Sequence, residues 1–123
     1  MSNKTILIVD DSLTVRQQVS MTLTMAGYQV IEACDGQDGV DRVRGTPNIA
    51  MVLCDLNMPR MNGLEFLENV RKQGAYAALP VVMLTTEGQA DLIQRAKGLG
   101  AKGWITKPFK PDLLIAVVKK LAA

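Results

Sequence analysis

The stretch LIVDDS, Leu7 to Ser12, carries an aliphatic run straight into two adjacent carboxylates, Asp10 and Asp11. An unbroken run of aliphatic and β-branched residues, rather than strict alternation, suits a strand covered on both faces in a parallel sheet. Two like charges where such a strand surfaces raise each other's pKa, so leaving them unpaired is costly. Something positive is expected beside them.

Working outward, four more short apolar runs follow the one at residues 5–9, at 29–33, 49–54, 80–85 and 103–106. Helix-like segments alternate with them. Val15, Val19, Leu23 and Ala26 keep to one helical face, with Ser12 as a cap before them and Gly27 as a stop after. Residues 63–73, 89–99 and 112–121 share that habit, and Pro111 sits where a first helical turn tolerates proline. Residues 35–44, flanked by Gly36 and Gly45, give the weakest helical pattern. Met21 and Met25 lie one turn apart, off the apolar stripe of the first helix. Partial burial at the helix flank is expected of them, against the alternative of a partner-binding face. Strict β-α repetition predicts an α/β domain with a parallel sheet and helices on both faces. One domain over residues 1–123 is expected, with no linker and no output domain behind it.

Composition narrows the function. With 123 residues, 48% hydrophobic and 21% charged, the chain has the makeup of a soluble globular domain, not a disordered one. A net charge of +2, from 14 basic and 12 acidic residues, attracts polyanions only weakly. The basic residues are scattered and Lys119-Lys120 is only a pair, so no nucleic-acid partner is expected. The opening MSNKTILIVDD is neither a signal peptide nor a membrane span, which predicts a cytoplasmic protein with no membrane insertion. Cys34 and Cys54 have no CxxC spacing and read as reduced packing thiols, a disulfide being the lesser alternative. With no histidine, the chain excludes a Ser-His-Asp hydrolase, a His-ligated zinc site and a phosphohistidine of its own.

In open α/β sheets, functional residues gather at the carboxyl ends of the strands. The first run ends in Asp10-Asp11; the third gives VLCDLNMPRMNG with Asp55; the fourth gives VVMLTTEG with Thr85; the fifth gives GWITKPF with Lys107. Alone, an acid pair is usually a solvated loop, Lys107-Pro108 an exposed turn and Thr85 an ordinary strand residue. Together, three carboxylates, a hydroxyl and an ammonium on one edge form a complementary set. Hard carboxylate oxygens favour magnesium, which keeps waters and leaves room for a phosphate oxygen. A carboxylate beside that cation can attack phosphorus, with Lys107 and Thr85 meeting the phosphoryl oxygens.

These motifs, ILIVDDS, CDLNMPRMNG, PVVMLTTE and GWITKPF, occur in an order that resembles the receiver domain of two-component response regulators, the CheY-like single-domain type above all. The resemblance implies a flavodoxin-like (βα)5 doubly wound parallel sheet of order 2-1-3-4-5. It implies that Asp55 accepts a phosphoryl group from a sensor histidine kinase. Mg2+ would be held by Asp10, Asp11, Asp55 and the backbone carbonyl of Asn57. Lys107 would contact the phosphoryl group, with a cis Lys107–Pro108 bond. Thr85 would move toward it, and Asn57, Thr86 and Glu87 would tune its hydrolysis. Trp104 occupies the aromatic switch position, more familiar as tyrosine or phenylalanine; simple packing against a helix is its equal alternative. Ile93, Lys97, Trp104 and Lys119 are candidate partner contacts on the fourth helix, fifth strand and fifth helix.

The expected function is a chemotaxis-type signalling module rather than a turnover enzyme, although it would catalyse its own phosphoryl transfer and slow autodephosphorylation. Its downstream partner would be a protein such as a flagellar motor component or a phosphotransfer protein. A phosphorelay intermediate or a phosphate sink is the alternative. A haloacid-dehalogenase-type phosphatase is a weaker one, because DxDxT is missing after the first strand and no cap domain fits the length. An FMN carrier would need a hydroxyl- and glycine-rich loop where DDSLT stands, and no P-loop run occurs.

Overall fold

The structure is a computed structural model that describes residues 4–58, 61–76, 78–86 and 90–122. Five strands alternate with five α-helices: β1 (Thr5–Val9), α1 (Leu13–Met25), β2 (Gln29–Ala33), α2 (Gly36–Gly45), β3 (Ile49–Asp55), α3 (Gly63–Lys72), β4 (Val81–Thr85), α4 (Ala90–Gly98), β5 (Gly103–Thr106) and α5 (Pro111–Leu121). The strands are parallel, in the order β2-β1-β3-β4-β5. This is the flavodoxin-like arrangement the motifs imply. No helix among the described residues is long and apolar enough to cross a membrane.

The alternation of side chains along each strand feeds two cores. Leu7, Val9, Val52, Cys54, Val81 and Met83 point to one side, where they meet Val40, Val43, Leu64, Phe66, Leu67, Val70 and Ala96 from α2, α3 and α4. Ile6, Ile8, Met51, Leu53, Val82, Leu84 and Ile105 point to the other and meet Val19, Leu23, Leu114 and Val118 from α1 and α5. Coverage of both faces is why the strands read as continuous apolar runs. Each fully buried aliphatic side chain contributes roughly 1.5–3 kcal/mol.

Helix ends explain most differences from the sequence reading. Asp35 is the N-cap of α2, its carboxylate accepting from the Asp38 N–H, which secures a helix whose apolar pattern is thin. Asn62 and Glu65 form a capping box that starts α3, a signal the sequence reading passed over. Gly27, at φ 96°, turns the chain out of α1 as expected. A 3-10 turn at Gly74–Tyr76, unforeseen, leads toward β4. The α4 boundary expected at Gln89 lies outside the described residues.

Arg71, near the end of α3, fastens the opposite end of the sheet from the acids. Its guanidinium donates to the carbonyls of Leu99 and Gly100 before β5 and of Tyr76 and Leu79 before β4, at 2.8–3.3 Å. Burial lowers its pKa from the ordinary guanidinium value.

Two expectations are corrected. Met21 and Met25 are 66% and 83% exposed rather than tucked at the helix flank, because the α1 stripe facing the sheet needs only Val19 and Leu23 at full depth. Cys34 is exposed just beyond β2, so only Cys54 is a packing thiol; both are free. Burial, followed by the charges of Asp55 and Asp10, raises the Cys54 pKa well above 9.0. Since the thiolate is the nucleophile, iodoacetamide should modify Cys34 in the folded protein and spare Cys54 until denaturant is added. Comparable rates at both, read by peptide mass spectrometry, would contradict this packing.

Candidate functional site

Register brings the acids together. Val9 is level with Ala33 on one side and Cys54 on the other, and Cys54 is level with Met83. Asp10, just after Val9, and Asp55, which follows Cys54 and closes β3, therefore come to the same edge of the sheet. Asp10 is fully buried there, Asp55 is 6% exposed, and Asp11 faces solvent. Carboxylate oxygens of all three lie within 4.8 Å of one another.

Each buried carboxylate is held by the backbone on one oxygen and by lysine on the other. Asp10 Oδ1 accepts from the Ser12 N–H at 2.9 Å, and Oδ2 accepts from Lys107 Nζ at 2.8 Å. Asp55 Oδ1 accepts from the Asn57 N–H at 3.3 Å, while Oδ2 lies 3.3 Å from the same Lys107 Nζ. Lys107 arrives from the end of β5, its N–H bonded to the Thr85 carbonyl at 2.6 Å, and its peptide bond to Pro108 is cis. Gly63 permits the close approach of α3: a Cβ there would fall 2.3 Å from the Asp55 carbonyl oxygen.

The electrostatics follow. Burial, then the neighbouring Asp10 charge, raises the Asp55 pKa above 3.8, against the opposite pull of Lys107 and the Asn57 N–H. For Lys107, burial pushes downward, but the bonds and charges of Asp10 and Asp55 outweigh it and raise its pKa above 10.5. One ammonium cannot neutralise three carboxylates. The surplus negative charge, made of hard oxygens, fits a hard divalent cation such as Mg2+ rather than a soft metal.

The other expected residues divide. Thr85 is buried at the end of β4, level with Thr106. Asn57 shares the Asp55 loop and Thr86 follows Thr85 at the surface, whereas Glu87 lies outside the described residues. Trp104 stands away from the acids, 45% exposed, with Lys97 Nζ 4.4 Å above its ring centroid. An exposed contact of that kind is worth ~0.5–1 kcal/mol. Lys97 and Lys119 are exposed, but Ile93 is partly buried against the core.

The sequence reading missed Arg16, Ser20 and Glu32. Arg16 Nη1 donates to the Asp10 carbonyl at 2.7 Å, its Nε donates to Glu32 Oε1 at 3.1 Å, and Ser20 Oγ donates to Glu32 Oε2 at 3.1 Å. A lone acid in the otherwise apolar run VIEA, and a cation near the start of α1, were the available signals.

The site is thus a carboxylate triad and a lysine at the carboxyl edge of a doubly wound parallel sheet. The model of the response regulator receiver domain matches residues 6–119, and the chain belongs to that family. It is 40% identical over 111 residues to a chemotaxis protein CheY homolog of Campylobacter jejuni, covering 89% of this chain and 85% of that one. It is 37% identical over 111 residues to chemotaxis protein CheY1 of Helicobacter pylori, covering 89% of each. The structure of Vibrio cholerae chemotaxis protein CheY4 superposes with a TM-score of 0.91 at 39% identity, covering 98% of this chain and 99% of that one.

Proposed function

We propose that this chain is a phosphorylation-controlled signalling module that receives a phosphoryl group on Asp55 from the phosphohistidine of a sensor kinase. One observation carries the reading: Lys107 Nζ stands between Asp10 and Asp55, at 2.8 and 3.3 Å, with Asp11 in the same cluster. Asp10, Asp11, Asp55 and the Asn57 carbonyl would hold Mg2+, which supplies charge neutralisation for the phosphoryl oxygens. An Asp55 oxygen forms the new P–O bond as the donor's P–N bond breaks, and the electron pair leaves with the imidazole, which takes a proton. Lys107 stays within reach of both the acceptor and the incoming anion.

The phosphoryl group brings more negative charge and more acceptor oxygens than the carboxylate it modifies. Thr85, buried at the neighbouring strand end, is placed to donate to it, and Lys107 follows. The surface of α4, β5 and α5 then changes, with Lys97, Trp104 and Lys119 as contacts and Ile93 contributing from its partly buried position. Moving such an equilibrium from 1:99 to 99:1 takes ~5.5 kcal/mol, which a few charge-assisted hydrogen bonds of ~1.5–3 kcal/mol each supply. The resemblance to the chemotaxis relatives supports a cytoplasmic, chemotaxis-type pathway acting through a separate downstream protein.

Capture of binding proteins on unmodified protein and on protein carrying a stable phosphoryl mimic tests the reading. Enrichment of a flagellar motor component on the mimic supports chemotaxis; enrichment of a histidine phosphotransfer protein supports a relay. Thr85→Ala should still accept phosphate yet lose on the order of 10–100-fold in the phosphorylation-dependent gain in partner affinity, the worth of one charge-assisted bond. A full gain in that variant would remove Thr85 from the switch.

A further inference from the structure

We propose that Arg16 is a positioning residue for the acid pair, aimed by Glu32 and Ser20 so that it fixes the Asp10–Asp11 peptide and with it the carboxylates on either side. The inference rests on the metal reading of the site for its functional meaning, but not for its geometry. Arg16 is placed against local preference. It sits in the fourth position of α1, where the helix dipole disfavours a cation, and the first turn of α1 contains no acid to offset it. Its side chain is nonetheless only 15% exposed. Its shortest bond, 2.7 Å, goes to the carbonyl of Asp10 rather than to a carboxylate.

The guanidinium is used as a fork. Nε is spent on Glu32 from β2, at 3.1 Å, and this sets the plane from which Nη1 reaches the Asp10 carbonyl. Ser20, one turn further along α1, occupies the second Glu32 oxygen at 3.1 Å, so the carboxylate is gripped from both sides. With Arg16 in place, every polar group of Asp10 has a partner. Its N–H bonds the Ala33 carbonyl, its carbonyl takes Arg16, and its two carboxylate oxygens take Ser12 and Lys107. Rotation of that residue would break several bonds at once. Groups that orient a metal's ligands typically alter its affinity by about 10–100-fold when removed.

The test compares wild-type protein with Arg16→Ala, Arg16→Lys and Glu32→Gln, and with Arg42→Ala as a control that deletes an exposed cation paired within its own helix. Two quantities are read: the Mg2+ dissociation constant by calorimetry, and hydrogen exchange of the Ser12 amide in metal-free protein. Arg16→Ala should weaken Mg2+ about 10-fold and accelerate Ser12 exchange. Arg16→Lys should behave nearly as badly, since an ammonium keeps the charge but lacks the planar fork. Glu32→Gln should show a smaller loss in both, and Arg42→Ala none. If Arg16→Ala does not fold, Arg16→Lys carries the decision. Wild-type Mg2+ affinity with unchanged Ser12 exchange in Arg16→Lys overturns the proposal. If wild-type protein binds no Mg2+, the metal reading falls, and Ser12 exchange alone decides: faster in the variants supports the positioning role, unchanged rejects it.

Discussion

Asp55→Ala protein should take up no phosphoryl group from acetyl phosphate under conditions that label the wild-type chain to near one group per molecule. The expectation follows from where the oxygens sit. Asp55 joins a buried carboxylate to the Lys107 ammonium at the end of β3, the middle strand of the sheet, with the Asn57 N–H on its other oxygen. Asp10 is fully buried, leaving a donor's phosphorus no open approach to its oxygens, whereas Asp55 keeps 6% of its surface open. Asp11 is exposed, but it lies beyond the reach of the Lys107 contacts that hold the other two. No nearby acid is therefore equipped to substitute. Asp55→Asn, which preserves shape, should fail equally. Stoichiometric labelling of either variant, measured by intact mass, would remove Asp55 from the acceptor role.

The second large effect concerns metal. Mg2+ at 100 times its dissociation constant should stabilise the wild-type fold by about 2.7 kcal/mol, because it binds folded chains and not unfolded ones. Asp11→Ala should lose most of that gain while folding normally, since Asp11 is the exposed member of the cluster. In chelator, the acids are left to repel one another. The Asp55 pKa is raised above 3.8 in the folded state, chiefly by burial and next by Asp10, so its ionisation costs the fold. Stability is therefore undiminished below the ordinary carboxylate range and falls as pH rises through the raised value. Asp55→Asn should flatten that decline. Lys107 has the same slope in a higher window: its raised pKa contributes stability that is fully present below 10.5 and is lost as pH climbs through its folded value. Urea melts across pH, with and without Mg2+, separate these arms. A wild-type chain indifferent to Mg2+ would refute the metal reading.

Much of this edge was legible because strand ends announce themselves. An aliphatic run that stops at an acid, a threonine or a lysine places that side chain at the rim of a parallel sheet, whatever the helices do. Asp10, Asp11, Asp55, Thr85 and Lys107 were all readable that way. Arg16 and Glu32 were not. They are sixteen residues apart, and their meeting depends on β2 lying beside β1 at the edge where α1 crosses. Local pattern carries no such adjacency. The surface of α1 was equally opaque: helical spacing tells which residues share a face but not how far the sheet beneath extends, so Met21 and Met25 emerged exposed. Caps were underused. Asp35 and the Asn62–Glu65 pair define two helix starts more sharply than the apolar stripe does.

The Arg71 clamp gives the molecule a chassis. Its four acceptors are main-chain carbonyls, which neither titrate nor exchange partners with dissolved salt as carboxylates do. One rim of the sheet thus carries groups whose charge state responds to protons, cations and anions, while at the other the starts of β4 and β5 are tied through carbonyls that respond to none of them. Chemistry at the responsive rim is worked against a mount that stays put.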